Sequence, residues 1–211
     1  MIYELALVAK AELPENELEA LSEMVKDVLK EGSGELFIED DWGKLNLGQP
    51  TSNGVRRGFF KYFIFKLDPQ TNKELNRRIL INEGILKSLL VKLGETKEQD
   101  QIIKAYKTPY SKKYKGSATS PSSTEEGQGG GDLEKDKKRF ARRKSCWFTA
   151  KKIKADWKDP TTYSWLINEF GKISPARVTG VSRRHQRIVN RAIKRARQIG
   201  MVSHLSNRLA E

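Results

Sequence analysis

Residues 116–131 form a stretch that cannot serve as the core of a folded domain. They read GSATSPSSTEEGQGGG and contain no aromatic or large aliphatic side chain. Such a composition buries too little apolar surface to offset the entropy lost on ordering, so it predicts a flexible Gly/Ser linker. The chain is therefore expected to fold as two pieces, one on either side of this stretch.

The charge of the chain changes across the predicted linker. Residues 1–115 contain 19 Lys and Arg against 18 Asp and Glu, whereas residues 132–211 contain 21 against 7. The formal net charge of the 211-residue chain is +13, so the excess positive charge lies in the second piece. A strongly basic block beside a nearly neutral one predicts a polyanionic partner for the basic block.

The composition also excludes several classes of protein. A single cysteine rules out an internal disulfide and a Cys-rich zinc site, and two histidines leave little for metal or acid–base chemistry. No run approaches the roughly 18 apolar residues of a membrane span, and the N-terminus has no signal or transit pattern. We expect a soluble cytoplasmic protein with no cofactor, no metal, no membrane and no small-molecule substrate.

The first piece shows strand and helix periodicities in alternation. The predicted elements, in chain order, are a strand at residues 3–8, a helix that begins at Pro14 and is ended by Gly32, strands at residues 35–47 and 59–65, a helix at residues 75–83 and a strand at residues 85–93, with a bend at residues 40–43. The order βαββαβ predicts an α+β, ferredoxin-like domain over residues 1–95, with two helices on one face of a four-stranded antiparallel sheet. Residues 96–131 are assigned to a basic tail and the flexible linker.

The predicted strand at residues 59–65 is apolar on both faces, so one of its faces is expected to contact the other module. The candidates for this inter-module contact are Phe59, Phe60, Tyr62, Phe63, Ile64 and Phe65. In an RNA-recognition motif the corresponding strand carries aromatics that stack on bases. Here Lys61 takes the place of a stacking aromatic, which favours core and protein contacts over base stacking.

The second piece, residues 132–211, predicts a small, mainly α-helical basic domain. Asp159-Pro160 predicts a helix start, with Phe170 on the apolar face of that helix and Gly171 at its end. Residues 172–180 contain too many turn-forming residues for a helix.

The last predicted helix, capped by Ser182 and extending to about Met201, is the main functional signal. It carries seven cations and no acid, and at about 100° per residue the cations gather opposite an apolar side. Their mutual repulsion favours a bound polyanion, and the helix N-terminus adds backbone donors suited to phosphate. The predicted RNA-binding residues are Arg142, Arg143, Lys144, Arg177, Thr179, Arg183, Arg184, Arg187, Arg191, Lys194, Arg195 and Arg197.

Several short motifs in the first piece point to one family. They are Met1-Ile2-Tyr3-Glu4, the turn EDDWG at residues 39–43, Gly58-Phe59-Phe60, and NEGILK at residues 82–87. With these motifs, residues 1–95 resemble bacterial ribosomal small-subunit protein six.

The second piece resembles a different family, bacterial ribosomal small-subunit protein eighteen, from about residue 142 to 205. The matching motifs are Arg142-Arg143-Lys144 with Cys146 and Phe148, the segment Gly171–Gly180, His185-Gln186-Arg187, and AIKRAR at residues 192–197. Some members of that family bind zinc with a second cysteine three residues after the first. Thr149 stands there in this chain, which is therefore similar to the metal-free form.

The two resemblances together imply a fusion of a ribosomal protein pair. They imply a structural constituent of the small ribosomal subunit that binds the central domain, or platform, of its RNA and supports assembly. The implied partners are small-subunit ribosomal RNA, the two modules with each other, and neighbouring small-subunit proteins. The implied location is a cytoplasmic ribosome of bacterial type, with an organellar ribosome left open.

Parts of the sequence also fit other functions. Cys146 and His185 can be imagined as a nucleophile and a base, but a small packed cysteine beside Trp147 and Phe148 is favoured, so no catalytic residue is predicted. A DNA-binding regulator is the better competitor, because a short helix followed by a basic helix can dock in a major groove. Autoregulation through a messenger leader is a third alternative, which the sequence does not rank.

Overall fold

In the computed structural model, which describes residues 1–51, 54–109 and 146–205, the N-terminal part contains a four-stranded antiparallel sheet. Its elements are β1 (Ile2–Lys10), α1 (Glu15–Glu31), β2 (Glu35–Asn46), β3 (Arg57–Lys66), α2 (Pro69–Ile81) and β4 (Ile85–Gly94). The strand order is β2-β3-β1-β4. This βαββαβ topology confirms the predicted ferredoxin-like fold.

Local sequence signals explain where these elements begin and bend. The Asp68 carboxylate accepts a hydrogen bond from the Gln70 backbone N–H at 3.0 Å, and Pro69 occupies the first turn of α2. The predicted bend in β2 is present as a shift of register between Asp41 and Gly43. Gly43 has a φ of 77°, a conformation that glycine adopts without strain.

The main core lies between one face of the sheet and helices α1 and α2. Side chains from alternate positions of β1 and β3 meet apolar side chains of the two helices there. This cluster comprises Tyr3, Leu5, Leu7, Val25, Val28, Leu29, Phe63, Phe65, Leu67, Leu75 and Ile79, all of them buried. The sheet face bearing Tyr3 and Phe63 is called the helix face below.

The opposite face of the sheet, called the second face, is also buried. It carries Ile2, Glu4, Ala6 and Val8 from β1 and Phe60, Tyr62 and Ile64 from β3, each no more than 2% exposed. The Trp42 and Tyr106 rings stack on Tyr62 at centroid distances of 5.2 and 5.0 Å. Tyr106 follows a short 3₁₀ turn and helix α3 (Gln99–Ala105), so the predicted tail begins with a helical strap.

Residues 195–205 belong to the same compact unit as the sheet. Contacts divide the described residues into one unit that joins the N-terminal part, up to residue 109, with residues 195–205, and a second unit at residues 146–194. Within the first unit, the Gly48 N–H donates to the Gly200 carbonyl at 2.7 Å. Gly200 has a φ of 85°, and a Cβ added there would lie 3.0 Å from the Leu47 side chain. The segment around Gly200 therefore approaches the end of β2 closely and depends on a glycine to do so.

The second unit is small and built from short helices and turns. Its described elements are α4 (Trp147–Lys151), 3₁₀ turns at Pro160–Thr162 and Ser164–Leu166, α5 (Ala176–Thr179) and most of α6 (Arg183–Ile199). Its core is aromatic-rich: Phe148, Trp157, Tyr163 and Leu166 are all buried. The Tyr163 hydroxyl donates to the Trp157 carbonyl at 2.8 Å, which satisfies its buried polar group.

The predicted helix over residues 160–170 is wrong. Asp159 does cap a turn, but the chain forms the two 3₁₀ turns and then a bridge between Ile167 and Ile173. The Asn168 side chain accepts the Lys172 N–H at 2.7 Å and so closes a hairpin instead of continuing a helix. Phe170, predicted on the apolar face, lies on this hairpin and is 71% exposed.

The segment 172–180 also differs from its prediction, because one helical turn, α5, forms within it. The predicted linker at residues 116–131 and the basic arm at residues 142–144 lie outside the described residues. In the part of the chain that the structure describes, no helix has the length and apolar character needed to cross a membrane.

Candidate nucleic-acid interface

Helix α6 presents a stripe of positive charge, called here the basic stripe. Its exposed members are Arg183, Arg184, Arg187, Arg191 and Lys194. They fall within about 100° of arc on a helix that turns 100° per residue, along roughly 16 Å of axis. Because no acid lies on this helix, nothing within it neutralises the stripe.

The opposite side of α6 is apolar and buried, as the periodicity predicted. Val189, Ala192, Ile193, Ala196 and Ile199 are all buried. The helix begins where the Ser182 hydroxyl accepts the His185 backbone N–H at 3.3 Å, which confirms the predicted cap. Burial of one side fixes the helix rotation and holds the basic stripe outward.

Arg195 and Arg197 stand apart from the basic stripe. They lie at its two edges, about 20° and 40° beyond it on the helical wheel, and both are half-buried. The Arg197 Nε donates to the Ser203 carbonyl at 3.2 Å, and burial lowers the pKa of this guanidinium. Arg195 lies 3.9 Å from the carboxylate of Glu4. Both residues thus contact protein atoms of the first unit, and their predicted RNA contacts stay predictions.

The turn before α6 holds two more predicted RNA-binding residues. Arg177 is exposed on α5. Thr179 is half-buried, and its hydroxyl lies 3.3 Å from the Pro175 carbonyl and 3.4 Å from the Val181 N–H. Arg177 is therefore presented to solvent beside α6, whereas Thr179 holds the turn together. The remaining predicted residues, Arg142, Arg143 and Lys144, lie outside the described residues.

The six residues predicted for inter-module contact divide between the two faces of the sheet. Phe63 and Phe65 lie in the core beneath α1 and α2, and Phe59 packs against a smaller cluster at Leu18 and Leu21. These three are internal to the first unit because the helices cover their face. The other three, Phe60, Tyr62 and Ile64, lie on the second face, and for them the contact remains a prediction.

Lys61 occupies the position where an RNA-recognition motif has a stacking aromatic. Its ammonium donates to the Leu18 carbonyl at 2.8 Å and to the Ser22 hydroxyl at 2.7 Å. The side chain thus contacts α1 on the helix face. This geometry supports the expectation that the strand acts in protein packing.

Cys146 and His185 lie together in the second unit. The Cys146 Sγ is 3.3 Å from the His185 Nδ1, and Phe148 stacks on the imidazole ring. Burial raises the pKa of the Cys146 thiol, but hydrogen bonds from the Ser182 and Thr149 backbones and side chains outweigh it and lower the pKa to about 6. The sequence predicted a packed cysteine; the structure adds a hydrogen-bonded thiol with thiolate character.

Two residues that the sequence left unassigned hold the second face together. Glu4 is a buried acid within an apolar strand, and Tyr106 is an isolated aromatic in a polar segment. In the sequence, the contrast of each residue with its neighbours was the signal that could have pointed to these roles. Among the described residues, no group of three or more His, Cys, Asp or Glu is placed to hold a metal ion.

Comparison with protein families gives one match on either side of the predicted linker at residues 116–131. The family model described as Ribosomal protein S6 matches residues 2–92, and the model described as Ribosomal protein S18 matches residues 151–202. The chain is thus similar to two families in succession.

Individual relatives match the second part. The small ribosomal subunit protein bS18 of Geotalea uraniireducens is 48% identical over 67 residues, covering 31% of this chain and 74% of that protein. The bS18 protein of Treponema denticola is 39% identical over 77 residues, 36% of this chain and 86% of that protein. Among solved structures, the 30S ribosomal protein S6 of Thermotoga maritima aligns at 20% identity with a TM-score of 0.43, over 49% of this chain and 96% of that one.

Proposed function

The chain belongs to the bS18 family of small ribosomal subunit proteins, fused behind an S6-type region, and on this premise we propose that it binds the central-domain RNA of the small subunit. Membership of these families supports a structural role in the small ribosomal subunit. The proposal adds that the fused pair acts as one unit on the platform, supports subunit assembly, and contacts neighbouring small-subunit proteins.

The basic stripe of α6 is the observation that carries this proposal. Its five exposed cations face away from the buried side of the helix, and no acid on α6 offsets them. Exposed cations that bind phosphates release condensed counterions, which favours binding to RNA and makes it depend on salt. Arg177 extends the positive surface beyond the start of α6.

The salt dependence of RNA binding tests the proposal. With six phosphate contacts, the slope of log affinity against log salt is expected to be about −4 to −5.5, at roughly 0.7–0.9 per contact. Replacing Arg187, Arg191 and Lys194 together by Gln is expected to reduce the magnitude of that slope by about 2–3. Affinity for a central-domain RNA fragment is measured by filter binding at several salt concentrations.

A matched control removes the same charge elsewhere. Lys30, Lys73 and Lys104 are exposed residues of the first unit, and their replacement by Gln also lowers the net charge by three. This variant is expected to keep the slope of the parent chain. Equal slopes for the two triple variants, or equal affinity for duplex DNA and for the RNA fragment at one salt concentration, would contradict the proposal; the second result would favour a DNA-binding regulator.

A further inference from the structure

Glu4 is a carboxylate buried in the second face of the sheet. Its side chain is only 1% exposed, and its neighbours along β1 are apolar. The Tyr62 hydroxyl donates to its Oε2 at 2.9 Å. A hydrogen bond orients such a carboxylate, but burial of an ionised group remains costly unless a cation lies close by.

Arg195 supplies that cation. Its Nη1 lies 3.9 Å from the Glu4 Oε1, a distance typical of an ion pair and too long for a hydrogen bond. The Arg195 side chain is 39% exposed, so one end of the pair is buried and the other reaches solvent. Both residues belong to the first compact unit.

The place of Arg195 on α6 explains why this cation, among seven, meets Glu4. It lies at the edge of the basic stripe, next to Ala196 and Ile199 on the buried side. A slip of one helical turn in one direction would set Ile199 against Glu4 and take Arg195 away from the carboxylate. A slip in the other direction would bring Arg191 to Glu4, but it would also move Arg195 into the buried place of Ile199. Either change costs free energy.

We propose that the Glu4 carboxylate, oriented by Tyr62, pairs with Arg195 and thereby specifies a single register for residues 195–205 on the second face. Apolar contacts on this face resist burial of a charge but do not distinguish one register from the next. The buried carboxylate does, because one slip takes Arg195 away from it and the other places Arg195 among buried apolar side chains. Arg195 is accordingly a protein contact and not an RNA contact. The inference concerns the fold of the first unit and holds whether or not the chain binds RNA.

A double-mutant cycle on the full chain tests the coupling between Glu4 and Arg195. R195M removes the Arg195 cation from the buried carboxylate, so it is expected to raise the unfolding equilibrium constant roughly tenfold, after allowance for the exposed end of the pair. E4Q removes the charge in need of a partner, so the E4Q/R195M variant is expected to recover most of that loss. R195K keeps a cation and is expected to stay within about threefold of the parent chain. Urea unfolding of each variant is the measurement.

R191M is the matched control, one helical turn earlier on the basic stripe. It is expected to change the unfolding constant less than about twofold with or without E4Q, because Arg191 is exposed. On RNA the order reverses: R191M is expected to reduce the salt slope and R195M to leave it unchanged.

Two results would overturn the inference. In the first, R195M and E4Q destabilise additively, so that the double variant is no more stable than R195M. In the second, R195M lowers the salt slope as R191M does while stability is unchanged. If the parent chain does not bind RNA, the proposed function is contradicted. The inference about Glu4 and Arg195 is then still tested by the coupling free energy between them in the double-mutant cycle.

Discussion

At the scale of single residues, Cys146 offers a direct test of how hydrogen bonds set reactivity. The pKa of about 6 leaves the thiol mostly ionised at pH 7, whereas an unfolded cysteine has a pKa near 8.5. We expect the rate of alkylation by iodoacetamide in the native chain to rise with a midpoint near pH 6. Because the folded pKa is depressed, the stability that this group contributes is present above the unfolded pKa and declines as the pH falls towards 6.

The matched variant for this prediction is T149V, which removes one hydrogen bond to the sulfur and keeps the backbone donors. Its alkylation midpoint is expected to move upward, and the midpoint of the chain in urea is expected to lie near 8.5. Mass spectrometry of the modified Cys146 at a series of pH values gives the rates. A single midpoint near 8.5 in both folded and unfolded chains would contradict the assignment of a hydrogen-bonded thiolate.

The same scale shows how far sequence predicts individual roles. The five members of the basic stripe were predictable because helical periodicity alone places them opposite the buried side. Arg195 was grouped with them because periodicity does not reveal what lies beside the edge of a helix. That neighbour, Glu4, comes from the other end of the chain, and only the tertiary fold brings the two together.

At the scale of elements, the strap formed by the 3₁₀ turn, α3 and Tyr106 stabilises the second face. The Tyr106 hydroxyl lies 2.5 Å from the Asp40 carboxylate, while its ring stacks on Tyr62. Y106F removes only the hydroxyl, which donates to Asp40 and accepts from the Trp42 Nε1 at 3.3 Å, and is expected to lower the free energy of unfolding by about 1–2 kcal/mol. Y106A also removes the ring and is expected to cost about 3 kcal/mol. Urea unfolding measures both, with the exposed K107A as control.

The strap also predicts a dependence on alkaline pH. Burial, followed by the hydrogen bond to Asp40, raises the pKa of Tyr106 well above its usual value near 10. A raised folded pKa gives stability that is present below pH 10 and is lost as the pH rises further. Between pH 9 and 11 the parent chain should therefore lose more stability than Y106F. Identical losses in the two chains would contradict the contribution of this hydroxyl.

Elements with strong local signals were predictable, and those set by competing turns were not. The sheet follows from alternation, and helix α1 follows from the Pro14 start and its apolar repeat. Helix α2 was predicted only from residue 75, whereas it begins at Pro69, because Asp68 caps the helix as well as ending the strand. Residues 160–170 carry a helix start and an apolar spacing as well. There, however, Asn168 captures the Lys172 N–H, so side-chain hydrogen bonding closes a hairpin before a helix can propagate.

At the scale of the whole molecule, the sequence boundary and the structural units do not coincide. Charge and composition predict a division near residues 116–131, yet residues 195–205 belong with the N-terminal sheet. Composition registers a change of residue type along the chain, whereas packing joins segments distant in sequence. The second face explains the difference, because the apolar strand β3 needs a cover on both sides and the two ferredoxin-like helices supply only one.

Cleavage between Ser123 and Thr124 tests whether covalent connection is needed once the chain has folded. The Gly48–Gly200 hydrogen bond and the Glu4–Arg195 ion pair join residues on opposite sides of the cut. We therefore expect an inserted protease site there to yield fragments that co-elute on gel filtration at micromolar concentration. A flexible chain of 16 residues, as the composition predicts for residues 116–131, is expected to have a root-mean-square reach of roughly 20–24 Å and to supply an effective concentration of order millimolar. Cleavage is therefore expected to weaken association without abolishing it.

The isolated C-terminal fragment provides the second half of this test. Its helix α6 buries Ala196 and Ile199 in the first unit, so residues 132–211 alone should expose part of that apolar side and show weak, non-cooperative thermal unfolding by circular dichroism. Adding the N-terminal fragment is expected to restore a cooperative transition. Introducing R195M into the cleaved chain should accelerate separation of the fragments, whereas R191M should not. Clean separation of two independently stable fragments, unaffected by R195M, would show that the linker alone keeps the two modules together.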